Sequence, residues 1–199
     1  MNQINASETA LLIVHLQGDI VSEGTAFGAL FSTEYTARGI VGKINTAAKL
    51  LRDSGGLVVP LRIAFAHDYS DLNPTLPLLQ MVGQAGCLKE GTDGAALVPD
   101  LVVTGSDVVT THKRPGPFTD SPLQPLLQER GIKSVIVCGV ATNASVEGAA
   151  RQAADLGYHT LVLTDAASAA DPTTHEASLA SLSLFATLTT VATLPQHLS

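Results

Sequence analysis

Short β-branched runs that alternate with helix-length segments constrain this chain most. Ala10 to Leu16 (ALLIVHL), Leu57 to Ile63 (LVVPLRI), Asp107 to Lys113, Val135 to Cys138, Thr160 to Thr164 and Ala186 to Val191 each read as a strand. Several are apolar almost throughout, as strands buried on both faces of a parallel sheet are. Between them the period changes to three and four. Ile40, Ile44, Ala47, Ala48 and Leu51 form one stripe in a helix predicted over 34–54, and Val146, Ala149, Ala150 and Ala153 form another. Ser121-Pro122 and Asp171-Pro172 read as helix starts, and Gly131 and Gly157 as stops. Alternation of this kind predicts a three-layer α/β/α domain with a six-stranded parallel sheet, Rossmann-like in outline. One domain over 1–199 fits the length.

Residues 18–33 read as a loop with Phe anchors. Residues 64–107 form the least regular stretch, with one short helix and the character of a lid or binding loop. Charge and composition remove several classes of function. A net charge of −7 disfavours nucleic acid and anionic membrane as partners. No apolar run approaches the roughly 20 residues of a membrane span, and the polar opening MNQINASE predicts no signal peptide. Two distant cysteines, Cys87 and Cys138, fit a reducing, cytoplasmic setting. Gly139-Val140-Ala141-Thr142 lacks the spacing of a dinucleotide or nucleotide phosphate loop, so no cofactor is expected. His67-Asp68 has no second ligand cluster, so no metal is expected either.

In a parallel sheet, ligands collect where strands end and helices begin. His15, Lys113 and Ser145 leave the carboxyl ends of the first, third and fourth strands, and that shared edge lets them converge. Ser145 lies in the first turn of a helix, where a serine can cap the helix or face a substrate beside free N–H groups. Lys113 supplies a fixed positive charge, and His15 an acid or base near neutrality or a satisfied boundary residue. Arg62, Phe65 and Phe118 follow strand ends and are pocket-wall candidates, with a salt bridge for Arg62 and a core or interface place for any of the three as equal alternatives. His175, just after the Asp171-Pro172 start, is expected to pack or cap.

Four stretches resemble the isochorismatase-like, or cysteine hydrolase, superfamily: ALLIVHLQGDIV (10–21), THKRPGPFTDSPL (111–123), CGVATNASVEGAARQAADLGY (138–158) and LTDAASAADPTTHEASL (163–179). The resemblance covers nearly the whole chain, and the third stretch carries it most specifically. It implies homo-oligomers (dimers or tetramers) and a small-molecule substrate. It also implies a catalytic Asp, Lys and Cys at three strand ends, and a cis peptide before the nucleophile's helix. Carried onto this chain, Lys113 matches, His15 occupies the Asp position and Ser145 the Cys position, with the cis bond at Val140-Ala141. Val140, Ala141 and Ser145 would then form the oxyanion-binding backbone. Asp19 aligns with a structural Asp of the opening motif, and Cys138 lies inside a strand, where a thiol packs as a small hydrophobe.

Three functions remain open on these residues. One is a Ser145–His15–Lys113 hydrolase of small amides, esters or imides, with His15 as base. A second cleaves a vinyl ether by protonation from His15. The third is a catalytically silent relative that binds a small ligand or partner.

Overall fold

The computed structural model describes residues 3–199 and builds six parallel strands into one sheet. In chain order the elements are β1 (Thr9–Val14), α1 (Gly18–Val21), α2 (Gly28–Ala37), α3 (Ile40–Asp53), β2 (Leu57–Ile63), α4 (Pro77–Ala85), β3 (Thr110–His112), α5 (Leu123–Glu129), β4 (Ser134–Val140), α6 (Glu147–Asp155), β5 (His159–Ser168), α7 (Pro172–Leu182) and β6 (Thr187–Thr189). A π-helical turn, Thr142–Val146, joins β4 to α6. The expected alternation is present, and the sheet order β3-β2-β1-β4-β5-β6 makes the sheet doubly wound.

Strand alternation divides the core between the two faces. Leu11 and Ile13 of β1 join the α3 side, where Ile40, Ile44, Ala47, Ala48 and Leu51 are fully buried, as their spacing predicts. Ala10, Leu12 and Val14 join the other side with Leu123, Leu127, Ala149, Ala150 and Ala153. Burial on both faces explains why β1 is apolar at every inner position.

Several expected boundaries move. The helix predicted over 34–54 is two helices, because Gly39 takes φ +62° and turns the chain between them. The stretch read as a loop over 18–33 is largely helical, forming α1 and the first part of α2. The third strand is only Thr110–His112, and the last only Thr187–Thr189. Segment 64–107 contains α4 and otherwise runs irregularly. Its far end is fixed by Arg52, which grips the buried Asp107 carboxylate with two hydrogen bonds of 2.8 and 2.7 Å.

The strand order reverses between β1 and β4, which pair in parallel from Thr9↔Ser134 to Val14↔Gly139. Their backbones approach so closely that a Cβ on Gly139 would lie 2.1 Å from the Val14 carbonyl oxygen, and Gly139 also has φ +115°. Only glycine fits there. At such a reversal the connections from the two strands leave in opposite directions and open a crevice at the carboxyl edge. His15 follows β1 and Ser145 follows β4, one on each side of that crevice.

Candidate active site

A cavity occupies the crevice, where small-molecule sites of such sheets lie. His15, Val140, Ala141, Ala144 and Ser145 form its floor. Ile20, Phe27 and Phe31 of the α1–α2 region close one side, and Leu78, Leu79, Val82 and Leu88 of segment 64–107 close another. That segment therefore contributes the wall expected of it. Of the fourteen lining residues, His15 and Ser145 alone have polar side chains, and none is charged.

His15 holds φ +52°, a left-handed conformation uncommon for a residue with a side chain. Its backbone is held by hydrogen bonds from His15 N–H to the Leu61 carbonyl and from Gln17 N–H to the His15 carbonyl. Gln17 itself is fully buried. Its amide nitrogen donates to the Ile63 and Ala95 carbonyls, and its oxygen accepts from Ile63 N–H. The exits of β1 and β2 and the lid segment are thus tied together immediately beside His15.

The imidazole of His15 stacks on that of His112 with centroids 4.9 Å apart, and their Nε2 atoms meet at 3.0 Å. One proton assignment follows. His112 Nδ1 lies 2.7 Å from the Arg114 carbonyl oxygen, which can only accept, so Nδ1 carries the hydrogen. Burial lowers the His112 pKa to about 4, so near neutrality its Nε2 is bare. His15 Nε2–H must then donate to it, leaving the proton-free nitrogen of His15 at Nδ1. Burial first, and the adjoining His112 second, hold the His15 pKa well below its ordinary value.

Ser145 is 4% exposed and sits in the π turn. Neither its Oγ nor His15 Nδ1 has a hydrogen-bond partner among the described residues, although Ser168 Oγ is the one side-chain atom there both sealed off and unpartnered. The two free atoms therefore open on the cavity. The Val140-Ala141 peptide is cis, at the expected position. Ala141 N–H has no protein acceptor among the described residues, while the Ala141 carbonyl accepts from Ala144 and Val146 N–H.

Behind this turn lies a second polar network. Thr142 Oγ1 bonds His175 Nδ1 at 2.8 Å, and Arg38 donates to His175 Nε2 at 3.0 Å and to the Thr164 and Ala167 carbonyls. Ser178 Oγ bonds the Glu147 carboxylate at 2.6 Å and the Thr142 carbonyl at 3.2 Å. His175 thus packs as expected, and braces the turn as well. Asp171 caps α7 through Thr174 N–H.

Lys113 does not join the cluster. Its Nζ donates to the Ala64 carbonyl at 2.5 Å and pairs with Asp71 at 2.7 Å, above the Phe65 ring. Successive residues at a strand end point to opposite sides, so the inward position goes to His112, which pairs with Ile63 of β2. The sequence offers His112-Lys113 as an undivided basic pair, and only the strand register separates them.

The expected pocket walls also lie elsewhere. Arg62 is engaged by Glu90 at 2.7 Å and by the Ala95 carbonyl. Phe65 is wholly buried beneath Lys113. Phe118 belongs to the opposite core face, against Tyr158. The aromatic walls that sequence reading missed are Phe27 and Phe31, in the stretch read as a loop. Asp19 has the structural role expected of it, accepting from Leu88 N–H at 2.7 Å and packing on Gly94. Cys138 is fully buried, and burial pushes its thiol far above the ordinary range.

This architecture has close counterparts. The chain is similar to a cysteine hydrolase from Pseudomonas syringae, with a TM-score of 0.87 at 25% identity over 99% of this chain and 95% of that one. It is also similar to an isochorismatase family protein from Desulfovibrio vulgaris, with a TM-score of 0.84 at 25% identity over 95% and 97% of the two chains. In sequence it is 32% identical to the uncharacterised isochorismatase family protein YwoC of Bacillus subtilis, across 90% of this chain and 88% of that relative. The isochorismatase domain model matches residues 9–193, β1 through the stretch after β6, and the chain belongs to the isochorismatase family.

Proposed function

We propose that this protein hydrolyses a small amide, ester or imide, with Ser145 as nucleophile and His15 as general base. The observation that carries the reading is the shared cavity of Ser145 and His15, with the bare nitrogen of His15 fixed at Nδ1 by His112. Ser145 Oγ attacks the carbonyl carbon as its proton passes to His15 Nδ1, and the carbonyl π pair moves to oxygen. Ala141 and Ser145 N–H groups, beside Val140, receive that oxyanion. Collapse of the tetrahedral adduct expels the amine or alcohol, which takes the proton from His15. Water then attacks the acyl group as one of its protons passes to His15 Nδ1, and collapse expels Ser145 Oγ, which takes that proton back as the acid is released.

His112 is a positioning residue here: it touches no substrate and sets the tautomer of the base. It fills the orienting place of a triad with a neutral ring instead of a carboxylate. Lys113, salt-bridged outside the cavity, has no step in this scheme. The names of a cysteine hydrolase and of an N-carbamoylsarcosine amidase among similar folds agree with acyl chemistry at this edge.

Vinyl-ether cleavage draws less support, because a proton-donating His15 must be an imidazolium and both burial and His112 oppose that charge. A silent, ligand-binding role draws on one observation, the lack of a hydrogen bond between Ser145 Oγ and any other described residue. One experiment separates the two remaining readings. A small sulfonyl fluoride should label Ser145 at neutral pH, as read by peptide mass spectrometry, and a panel of short-chain esters and primary amides should show turnover. No label and a blank panel would favour binding without chemistry.

A further inference from the structure

The walls of the cavity bear on what it can accept. Its twelve residues other than His15 and Ser145 offer only hydrocarbon side chains, drawn from β2, β4 and the turn after it, the α1–α2 region, segment 64–107 and Pro115 after β3. The nearest cations in sequence are both committed elsewhere, Lys113 to Asp71 and the Ala64 carbonyl, and Arg114 to Asp120. The imidazole of His15 in the floor, and that of His112 behind it, are held neutral by burial. Apart from the backbone N–H groups beside Ser145, which face the reacting carbonyl, nothing in the cavity can compensate an anion, and a charge buried against its hydrocarbon walls without a partner is heavily penalised.

From this we propose that the site selects an uncharged substrate, a carbonyl compound whose body is a compact apolar or aromatic group and which carries no carboxylate. The carbonyl faces Ser145, and the body lies among Phe27, Phe31, Leu79 and Val82. A dicarboxylate or an amino acid amide would leave at least one charge unpaired against hydrocarbon. This inference rests on the hydrolase reading for the orientation of the carbonyl, but selection against charge follows from the walls alone.

The test uses 4-nitrobenzamide and 4-carbamoylbenzoate, amides that share shape and differ in charge on the body, titrated calorimetrically into the full-length Ser145→Ala protein at pH 7.5. Removing the hydroxyl keeps binding separate from turnover. The nitro amide should bind at least about a hundredfold more tightly than the carboxylate, as expected for an uncompensated buried charge. Leu78→Lys, which adds a cation to the wall, should narrow or reverse that ratio in a protein that keeps its far-ultraviolet dichroism. Equal affinities, tighter binding of the carboxylate, or no binding of either by the folded protein would overturn the proposal. Selective binding of the nitro amide with no turnover of any ester or amide by the unsubstituted protein would sustain the selection and remove the hydrolase reading.

Discussion

The π turn after β4 has two sides, and they are built on opposite rules. On the supporting side, polar groups close on one another: Thr142 on His175, His175 on Arg38, and Ser178 on Glu147. On the cavity side, Ser145 Oγ, His15 Nδ1 and Ala141 N–H have no partner among the described residues. A histidine serves each side. His175 uses both ring nitrogens structurally, whereas His15 spends one on His112 and keeps the other free. Unmet hydrogen-bonding capacity gathered on the cavity side of this turn and of the neighbouring β1 exit marks where a ligand's own polar atoms belong.

Substitutions can break the two sides separately. Ser145→Ala should give the largest change, a loss of turnover of about a thousandfold or more with little change in melting temperature, because a free hydroxyl contributes no contact to the fold. His112→Phe keeps a ring against His15 but removes its acceptor. We expect turnover to fall by about ten- to a hundredfold. The acid limb of the pH–rate profile should also move upward, because the second of the two causes that depress His15 is gone. A merely structural role for His112 would leave that limb in place.

Thr142→Val should act from the supporting side. It strands His175 Nδ1 and should cost about 1–3 kcal/mol in denaturant unfolding. Lys113→Met should do least. Its ion pair with Asp71 is about one-third exposed on both sides, so stability should change by no more than about 1 kcal/mol and turnover should be nearly unaffected.

The histidine pair also sets a pH dependence of stability. His15 and His112 have folded pKa values below the unfolded value of 6.5, so the unfolded chain binds protons more readily below that pH. Stability should therefore fall as pH drops from 6.5 toward about 4, by roughly 3 kcal/mol from His112 alone. Urea titrations at stepped pH would measure it, and His112→Phe should flatten the decline.

The sheet and the two strand ends that matter most could be read from the sequence. Runs such as ALLIV and SVIVCGV admit little besides buried parallel strands, and Ser145 follows one of them at a helix start. The family resemblance added the place of the cis peptide. The third member of the cluster was legible only as one of two neighbours, since alternation at a strand end depends on a register that His112-Lys113 does not encode. Phe27 and Phe31 escaped because the apolar residues of α2 form no regular stripe, and its Gly28 is the only residue in it that is buried. Arg62, Phe65 and Phe118 were misplaced for a related reason: following a strand end fixes position along the edge but not which layer the side chain enters.

The pairing of β1 with β4 also governs when the site can exist. His15 and Ser145 are separated by 130 positions (145 − 15), and they meet only after a strand near the start of the chain docks beside one two-thirds of the way along it. During synthesis β2 can pair with β1 first, leaving the other edge of β1 without a partner until β4 has emerged. The cavity is thus a product of the most sequence-distant step of assembly, and such long-range closures are the slow ones. A growing chain carries its histidine long before it carries the serine, and has no reactive centre in the interval.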